Sequence, residues 1–209
     1  MKGSCNNSPP SSGKYLILAS TNRNKFFEIR TALGQTGIPL CSLADFPPIP
    51  EAPETGETFA QNAMQKAQYY FLHFHKPVLA EDSGLVIPAL DGFPGVNSAR
   101  IAPDDPSRIA LVLDRMREHP AERHAYYVCS MVVLRDGEPI AAEGRCDGIL
   151  TEEPDGDLGF GYDPIFRPEG HRKTFGRMSI KEKSQYSHRG RAIHAILPQL
   201  LELFRNWKV

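Results

Sequence analysis

The order of apolar and polar positions along the first part of the chain predicts alternating strands and helices. An apolar run over residues 14–20 is typical of a buried strand, and helical spacing follows from Phe26 to Leu33. A short strand is predicted over residues 40–43, before a proline-rich connector. Thr58 and Gln61 form a capping-box pattern, so a second, aromatic-rich helix is expected to begin there.

The middle of the chain predicts mostly strands. Apolar runs at residues 78–80 and 85–87 predict the end of one strand and the start of another, joined by a polar turn. An amphipathic helix is predicted over residues 109–116. Extended runs on either side of Asp136-Gly137 predict a hairpin over residues 125–134 and 140–146.

The last part of the chain predicts one more strand and two helices. A further short strand is expected at residues 148–150, and a short helix is expected to start within residues 179–183. Apolar residues recur at helical spacing from Ile193 to Phe204. Because Pro198 lies inside this pattern, we expect a kink or a broken start there.

Composition narrows the classes of protein to consider. The chain has 209 residues and a formal net charge of −1, which gives no bulk attraction to nucleic acid or to an anionic membrane. No apolar run approaches the roughly 18 residues of a bilayer span. Residues 1–13 are rich in Ser, Asn, Pro and Gly, so we interpret them as a disordered leader. The four scattered cysteines argue against a zinc site or disulfide framework and favour a reducing cytosol.

The polar stretch Glu81-Asp82-Ser83-Gly84 between two apolar runs is the strongest candidate for chemistry. Adjacent carboxylates repel each other unless a cation lies near them, and Mg²⁺ is a hard cation that accepts carboxylate ligands. Asp-Ser-Gly is also a common turn sequence, so the same stretch can be a polar turn. Glu54, in a loop before a helix, could join these carboxylates at a metal or simply favour the helix dipole.

Three further segments offer possible ligand contacts. The loop ending in Lys25 leads into a helix amino terminus, which suits an anion, although a strand, loop and helix with one lysine is an ordinary arrangement. Glycines around Phe160 and Tyr162 allow a flat ligand to approach, while a loop packed for its own sake is the alternative. A basic cluster comprises Lys183, His188, Arg189 and Arg191. It can be a base-and-phosphate clamp or a solvated charge run. Asn62 and Lys66 are interpreted as solvated, and Arg100 as a phosphate ligand or, more commonly, a surface ion pair.

Five separated motifs together resemble the non-canonical purine nucleoside triphosphate pyrophosphatases, the inosine triphosphatase family. The resemblance covers residues 14–206, and the motifs follow in order along the chain. They are Ser20-Thr21-Asn22-Arg23-Asn24-Lys25; Glu54-Thr55-Gly56 with Thr58-Phe59 and Asn62-Ala63; Glu81-Asp82-Ser83-Gly84-Leu85; Gly159-Phe160-Gly161-Tyr162-Asp163-Pro164; and Lys183-Ser184 with Ser187-His188-Arg189-Gly190. Many members have Thr-Gly-Asn in place of Ser20-Thr21-Asn22, and some have Asp in place of Glu81.

This resemblance implies a role for each matching residue. The triphosphate would bind to Ser20, Thr21, Asn22, Arg23, Asn24 and Lys25. Magnesium would bind to Glu54, Glu81 and Asp82, with Asp82 accepting the proton of the attacking water. The nucleotide would contact Ser83 and Lys183, the purine would lie against Phe160, Gly161, Tyr162 and Asp163, and the 6-oxo edge would meet His188 and Arg189.

The resemblance also implies a fold and a reaction. The fold would be α/β, with a long mixed central β-sheet flanked by helices in two lobes around a cleft, formed by residues 14–209 as one two-lobed domain. The reaction would be Mg²⁺-dependent hydrolysis of ITP, dITP or XTP to monophosphate and pyrophosphate by a cytoplasmic homodimer that binds neither nucleic acid nor membrane. A pyrophosphatase for modified pyrimidine or canonical nucleotides is the alternative. A non-enzymatic nucleotide or RNA-binding module is disfavoured, because the chain lacks a basic excess.

Overall fold

A mixed sheet of six strands forms the centre of the protein in a computed structural model, which describes residues 13–34, 36–136 and 139–207. The strands are β1 (Leu16–Leu18), β2 (Leu40–Ser42), β3 (Val78–Val86), β4 (His124–Leu134), β5 (Ile140–Leu150) and β6 (Phe166–Pro168). Their spatial order is β2-β1-β3-β4-β5-β6. β1 is parallel to both of its neighbours, and every pair from β3 to β6 is antiparallel.

Five α-helices flank the sheet in the described part of the chain. They are α1 (Arg23–Leu33), α2 (Phe59–Phe74), α3 (Asp105–Arg115), α4 (Ile180–Tyr186) and α5 (His188–Arg205). The predicted capping box of α2 is confirmed, since Thr58 accepts from Gln61 N and the Gln61 side chain accepts in return. α1 ends at Gly34, whose φ of 57° suits glycine. The predicted α/β class is therefore confirmed.

Three apolar clusters on the two faces of the sheet fix its register. One lies under α1 and α5 and includes Leu79 of β3. A second lies under α2 and includes Val78 and Ala80. The third lies between α3 and the β5–β6 end, and it includes Leu85. Because successive strand residues point to opposite faces, a shift of one residue would move each of these apolar sets away from its own cluster to the other face.

Several local predictions need correction. β3 is one continuous strand from Val78 to Val86, so Glu81-Asp82-Ser83 does not form a turn between two strands. A single long partner explains this, because β4 pairs with every residue of β3. Residues 148–150 belong to β5 instead of forming a separate strand. α5 starts at His188 and continues through Pro198 to Arg205, so its start is not broken.

Two predictions concern residues outside the described part. The hairpin of β4 and β5 is confirmed, but Gly137 and Glu138 of its turn lie outside the described residues. Residues 1–12 of the predicted leader also lie outside them. Within the described residues, none of the helices is long and apolar enough to cross a bilayer.

Candidate active site

The candidate site begins where β3 extends beyond the carboxyl end of its parallel neighbour. β1 pairs with β3 only at Val78 and Leu79, so the next residues of β3 face the loop that follows β1. Clefts at the carboxyl ends of parallel strands are the usual ligand sites of open α/β sheets. Glu81 and Asp82 lie at this point and are buried, with 2% and 6% of their surfaces exposed.

The two adjacent carboxylates point to opposite faces of the sheet, and each has its own cation. Glu81 Oε1 lies 2.7 Å from Lys25 Nζ at the start of α1. Its Oε2 lies 3.6 Å from Arg189 Nη2 of α5 and accepts from Cys129 Sγ at 3.4 Å. Burial raises the pKa of Glu81, but attraction by Lys25 and Arg189 outweighs it and holds the pKa well below its usual range. Glu81 is therefore ionised at neutral pH.

Asp82 faces α2, where two side chains meet it. Its Oδ2 accepts from Asn62 Nδ2 at 3.0 Å, and its Oδ1 lies 3.5 Å from Lys66 Nζ. Lys66 also donates to Glu54 Oε1 at 2.9 Å. Burial and repulsion by Glu81 raise the pKa of Asp82, although Lys66 and Asn62 oppose the shift. The more basic of the two adjacent carboxylates is thus Asp82.

Asn62 and Lys66 are the first pair of functional candidates that sequence reasoning placed wrongly. We interpreted them as solvated, but they are 0% and 6% exposed. Their polar atoms turn toward the carboxylates, so the polar face of α2 is buried against the site instead of facing water. The four-residue spacing between Asn62 and Lys66 offered a signal, because it places both side chains on one helix face.

Glu54 closes the same cluster from the proline-rich connector. In addition to Lys66, it contacts Arg100, whose Nη1 lies 2.6 Å from Glu54 Oε2. Burial raises the pKa of Glu54, and attraction by Lys66 and Arg100 lowers it overall. Of the two roles considered for Arg100, the structure shows the ion pair, and its partner belongs to the site. A cleft of about 780 Å³ is lined in part by Ser20, Thr21, Lys25, Glu54, Lys66 and Glu81.

The loop between β1 and α1 forms one wall of this cleft. Asn22 caps α1 by accepting from the backbone N–H groups of Asn24 and Lys25 at 2.9 and 3.1 Å. Ser20 Oγ in turn accepts from Asn22 N at 3.1 Å. Residues 21–24 are exposed, so this helix amino terminus is open to an anion from the cleft.

A second cavity, of about 170 Å³, adjoins the first cleft, since Lys25 and Ala99 line both. Its walls bring together the remaining predicted nucleotide contacts: Ser83, Phe160, Gly161, Tyr162, Asp163, Lys183, His188 and Arg189. Lys183 Nζ and the Arg189 guanidinium lie 5.1 and 5.6 Å from the centre of the Phe160 ring. Residues separated by more than 150 positions thus meet in one cavity.

Glu28 is a buried charge of this cavity region that sequence reasoning missed. Its carboxylate accepts from Lys183 Nζ at 2.6 Å and from Arg189 Nη1. Arg189 Nη2 also donates to Ser83 Oγ at 2.9 Å, and Lys183 Nζ donates to Asp163 Oδ2 at 2.5 Å. The only sequence signal was a glutamate beside Ile29 on the apolar side of α1.

His188 is buried and neutral. Its ring stacks on Tyr127 at 4.5 Å with an angle of 9° between the planes. Burial, together with repulsion by Arg189 and Lys183, holds its pKa well below the usual value. The Nδ1 atom is buried and has no hydrogen-bond partner among the described residues. A buried ring nitrogen without a partner beside a cavity is available to a ligand.

The residues around Glu54 and Asp82 fit a divalent cation. Within residues 13–34, 36–136 and 139–207, no three His, Cys, Asp or Glu side chains form a ready-made metal cage. The Lys66 ammonium nevertheless lies between Glu54 and Asp82, so a positive charge is already stabilised between two carboxylates. Mg²⁺ takes one or two protein carboxylates and keeps other positions for water and phosphate. The donor set therefore suits Mg²⁺ better than a metal that needs a full protein cage.

Comparisons with known proteins agree with this architecture. The family model described as Ham1 family matches residues 16–199. The chain is 44% identical over 185 residues to a dITP/XTP pyrophosphatase of Halalkalibacterium halodurans, covering 86% of this chain and 95% of the relative. It is 42% identical over 195 residues to one of Mycobacterium tuberculosis, covering 90% and 96%.

Solved structures show the same fold. A HAM1 protein from Coxiella burnetii superposes with a TM-score of 0.80 at 35% identity, covering 91% of this chain and 100% of that one. A nucleoside-triphosphatase, or dITP/XTP pyrophosphatase, from Mycobacterium abscessus gives a TM-score of 0.69 at 40% identity, covering 88% and 99%.

Proposed function

This chain belongs to the Ham1 family, and on that premise we propose how its site works. The protein is an enzyme that hydrolyses non-canonical purine nucleoside triphosphates such as ITP, dITP and XTP, releasing the monophosphate and pyrophosphate. The observation that carries the proposal is the meeting of two different environments. An acidic cluster with fixed cations adjoins a cavity lined by an aromatic ring, a neutral histidine and an arginine.

The first cleft would bind the triphosphate. Lys25 and the exposed amino terminus of α1 supply positive potential along its wall. Glu54 and Asp82 would hold Mg²⁺, which supplies charge neutralisation for the phosphate oxygens when bound, whereas Glu81 points to the other face of β3 and pairs with Lys25. Lys66 would keep Glu54 and Asp82 close together. Phosphoryl transfer depends mainly on such positioning and electrostatic stabilisation.

Asp82 would orient the attacking water and accept its proton. A general base must be ionised yet basic enough to take a proton. Burial and the neighbouring Glu81 raise the pKa of Asp82, which favours it over Glu81, whose pKa is held low by Lys25 and Arg189. Asn62 donates to Oδ2 of Asp82 and so would leave Oδ1, which lies beside Lys66, to meet the water.

The second cavity would select the base. His188 and Arg189 lie where a purine edge would meet them, and the Phe160 ring offers a stacking surface. An arginine N–H matches a 6-oxo group, whereas the 6-amino group of adenine would leave that donor unpaired. Buried sites reject such mismatches strongly. Asp163, held by Lys183, would fix the loop that carries Phe160.

We further propose that residues 14–209 act as one two-lobed domain with the site in the cleft, and that the enzyme is a cytoplasmic homodimer. The buried free thiols of Cys41, Cys129 and Cys146 support a reducing compartment. The net charge of −1 supports a nucleotide substrate over nucleic acid or membrane.

A pyrophosphate-release assay with ITP, dITP, XTP, dTTP and ATP, each with and without Mg²⁺, tests the proposal. We expect rapid release from the three 6-oxopurine nucleotides only when Mg²⁺ is present. Preferred turnover of dTTP or ATP would instead favour a pyrimidine or canonical nucleotide pyrophosphatase. Release of orthophosphate in place of pyrophosphate would contradict the reaction itself.

A further inference from the structure

The loop that carries Phe160 contains two glycines, so contacts with other segments must hold it in one conformation. Gly159 and Gly161 on either side of Phe160 have φ angles of +77° and +62°. Glycine adopts these conformations without steric cost, but it also gives the backbone alternatives in the unbound protein. The position of the Phe160 ring thus depends on what the neighbouring backbone N–H groups contact.

The inner anchor belongs to the buried network already described. Phe160 N donates to Asp163 Oδ2 at 2.9 Å, and Asp163 is 1% exposed. A Cβ atom on Gly159 would lie 2.0 Å from the same oxygen, so this side of the loop is closely packed. This contact fixes the backbone N–H of Phe160.

The outer anchor comes from the first turn of α3. Gly161 N donates to Asp105 Oδ2 at 2.7 Å, across 56 positions of sequence. The other oxygen, Oδ1, accepts from Arg108 Nη1 at 2.7 Å, and Arg108 Nε donates to Ala102 O at 2.9 Å. Asp105 and Arg108 both line the cavity that contains Phe160. A carboxylate that is itself held by an arginine is a strong acceptor for a backbone N–H.

The segment that precedes Asp105 is attached to the sheet at Ser98. Ser98 Oγ accepts from Leu85 N of β3 at 3.0 Å and donates to Gly95 O at 2.6 Å. Tyr162 OH donates to Ser98 O at 2.7 Å, which ties the residue after Gly161 to the same segment. The loop that carries Phe160 is therefore held twice, by Asp105 of α3 through Gly161 and by Ser98, which is bonded to β3, through Tyr162.

We propose that Asp105 is a positioning residue for the nucleobase: by holding the Gly161 N–H, it keeps the Phe160 ring over the base. This inference rests on the proposed function. A first-turn acid paired with an arginine three residues later also stabilises a helix, so the test must separate the two roles. If Asp105 only stabilised the helix, its replacement would not weaken the binding of the base half of the ligand more than that of the phosphate half.

Asp105→Ala should raise KM for ITP roughly tenfold, the loss expected for one charge-assisted hydrogen bond, with little change in kcat. Asp105→Asn keeps an acceptor for Gly161 N and should recover most of the loss. Calorimetric titration with each product separates the two halves of the site. IMP should bind roughly tenfold more weakly to Asp105→Ala, whereas pyrophosphate with Mg²⁺ should bind as it does to the wild type.

Asp104→Ala is the matched control. Asp104 caps the same helix by accepting from Ser107 N at 2.8 Å and is exposed. Its loss should lower thermal stability as much as or more than Asp105→Ala does, yet leave KM for ITP unchanged. A double-mutant cycle with Phe160→Ala gives a second criterion. If Asp105 acts through the ring, Asp105→Ala should have little further effect once Phe160 is gone.

Three results would overturn the inference: unchanged IMP affinity in Asp105→Ala, an equal loss of pyrophosphate affinity, or full additivity with Phe160→Ala. Failure of the proposed function is a different observation, because it would appear as absent pyrophosphate release from ITP by the wild type. IMP is not a substrate of the proposed reaction, so its titration still decides the role of Asp105 in that case.

Discussion

Replacing Glu28 by Gln tests the buried charge network most directly. The change keeps the size of the side chain and removes one negative charge that accepts from both Lys183 and Arg189. All three residues are at least 94% buried. Removing one partner of a buried ion pair costs about 3–5 kcal/mol, because the other charge remains desolvated.

The structure points to the lower end of this range. Lys183 keeps Asp163 at 2.5 Å, and Arg189 keeps Ser83 at 2.9 Å and Glu81 at 3.6 Å. We therefore expect a loss of about 3 kcal/mol in the free energy of unfolding. For a chain of this length, that loss corresponds to a fall of about 6–12 °C in Tm.

The pH dependence gives a second criterion. Burial raises the pKa of Glu28, but Lys183 and Arg189 outweigh it, so its pKa in the folded protein is below the usual 4.5. A group with a depressed pKa stabilises the fold above its unfolded pKa and loses this effect as the pH falls through the folded value. The stability difference between wild type and Glu28→Gln should thus be constant near neutral pH and shrink below about pH 4.5.

Urea unfolding followed by circular dichroism, at pH 7 and at several values below 5, measures both quantities. Glu202→Gln on the exposed face of α5 is the control, and it should change stability by less than about 0.5 kcal/mol. A loss below about 1 kcal/mol for Glu28→Gln, or a difference that does not shrink in acid, would refute the reasoning.

Four further outcomes are expected. Asp82→Asn should abolish pyrophosphate release while calorimetry still detects nucleotide; undiminished release would exclude Asp82 as the proton acceptor. Lys66→Met leaves two carboxylates without their cation, so Mg²⁺ should raise its Tm more than that of the wild type; equal shifts would contradict a metal position beside Glu54. Thr58→Ala should cost about 1 kcal/mol in thermal unfolding through the lost cap. The pKa of His188 is depressed in the folded protein, so only the unfolded state binds this proton as the pH falls below 6.5. The wild type should therefore lose stability between pH 7 and 5.5. His188→Gln should lose less over the same range in urea titrations.

Much of the fold follows from local sequence, because capping and periodicity act over a few residues. The start of α2 at Thr58 and the end of α1 at Gly34 were both predictable from their caps. The apparent break at Glu81-Asp82-Ser83 was misleading, since its polar residues lie within a strand. Antiparallel pairing with β4 along the whole of β3 satisfies the backbone there, and this pairing is not encoded locally.

The candidate site was only partly predictable. Asp82, Lys25 and Arg189 were identified from motifs, and the structure places Lys25 and Arg189 at the two carboxylate oxygens of Glu81, the neighbour of Asp82. Lys66 and Glu28 were not identified, because a charged residue on a helix is solvated by default. Their burial depends on carboxylates and cations contributed by distant segments.

The sequence by itself determined most of the strands and helices, the caps of α1 and α2, and the set of residue types available for chemistry. Only the tertiary structure decided which acidic side chain pairs with which basic side chain. Adjacent Glu81 and Asp82 separate to opposite faces of β3, where Lys25 of α1 and Lys66 of α2 meet them in turn. The physical reason is that a buried charge is tolerated only beside an opposite charge, and the folded chain supplies that partner from segments far apart in sequence.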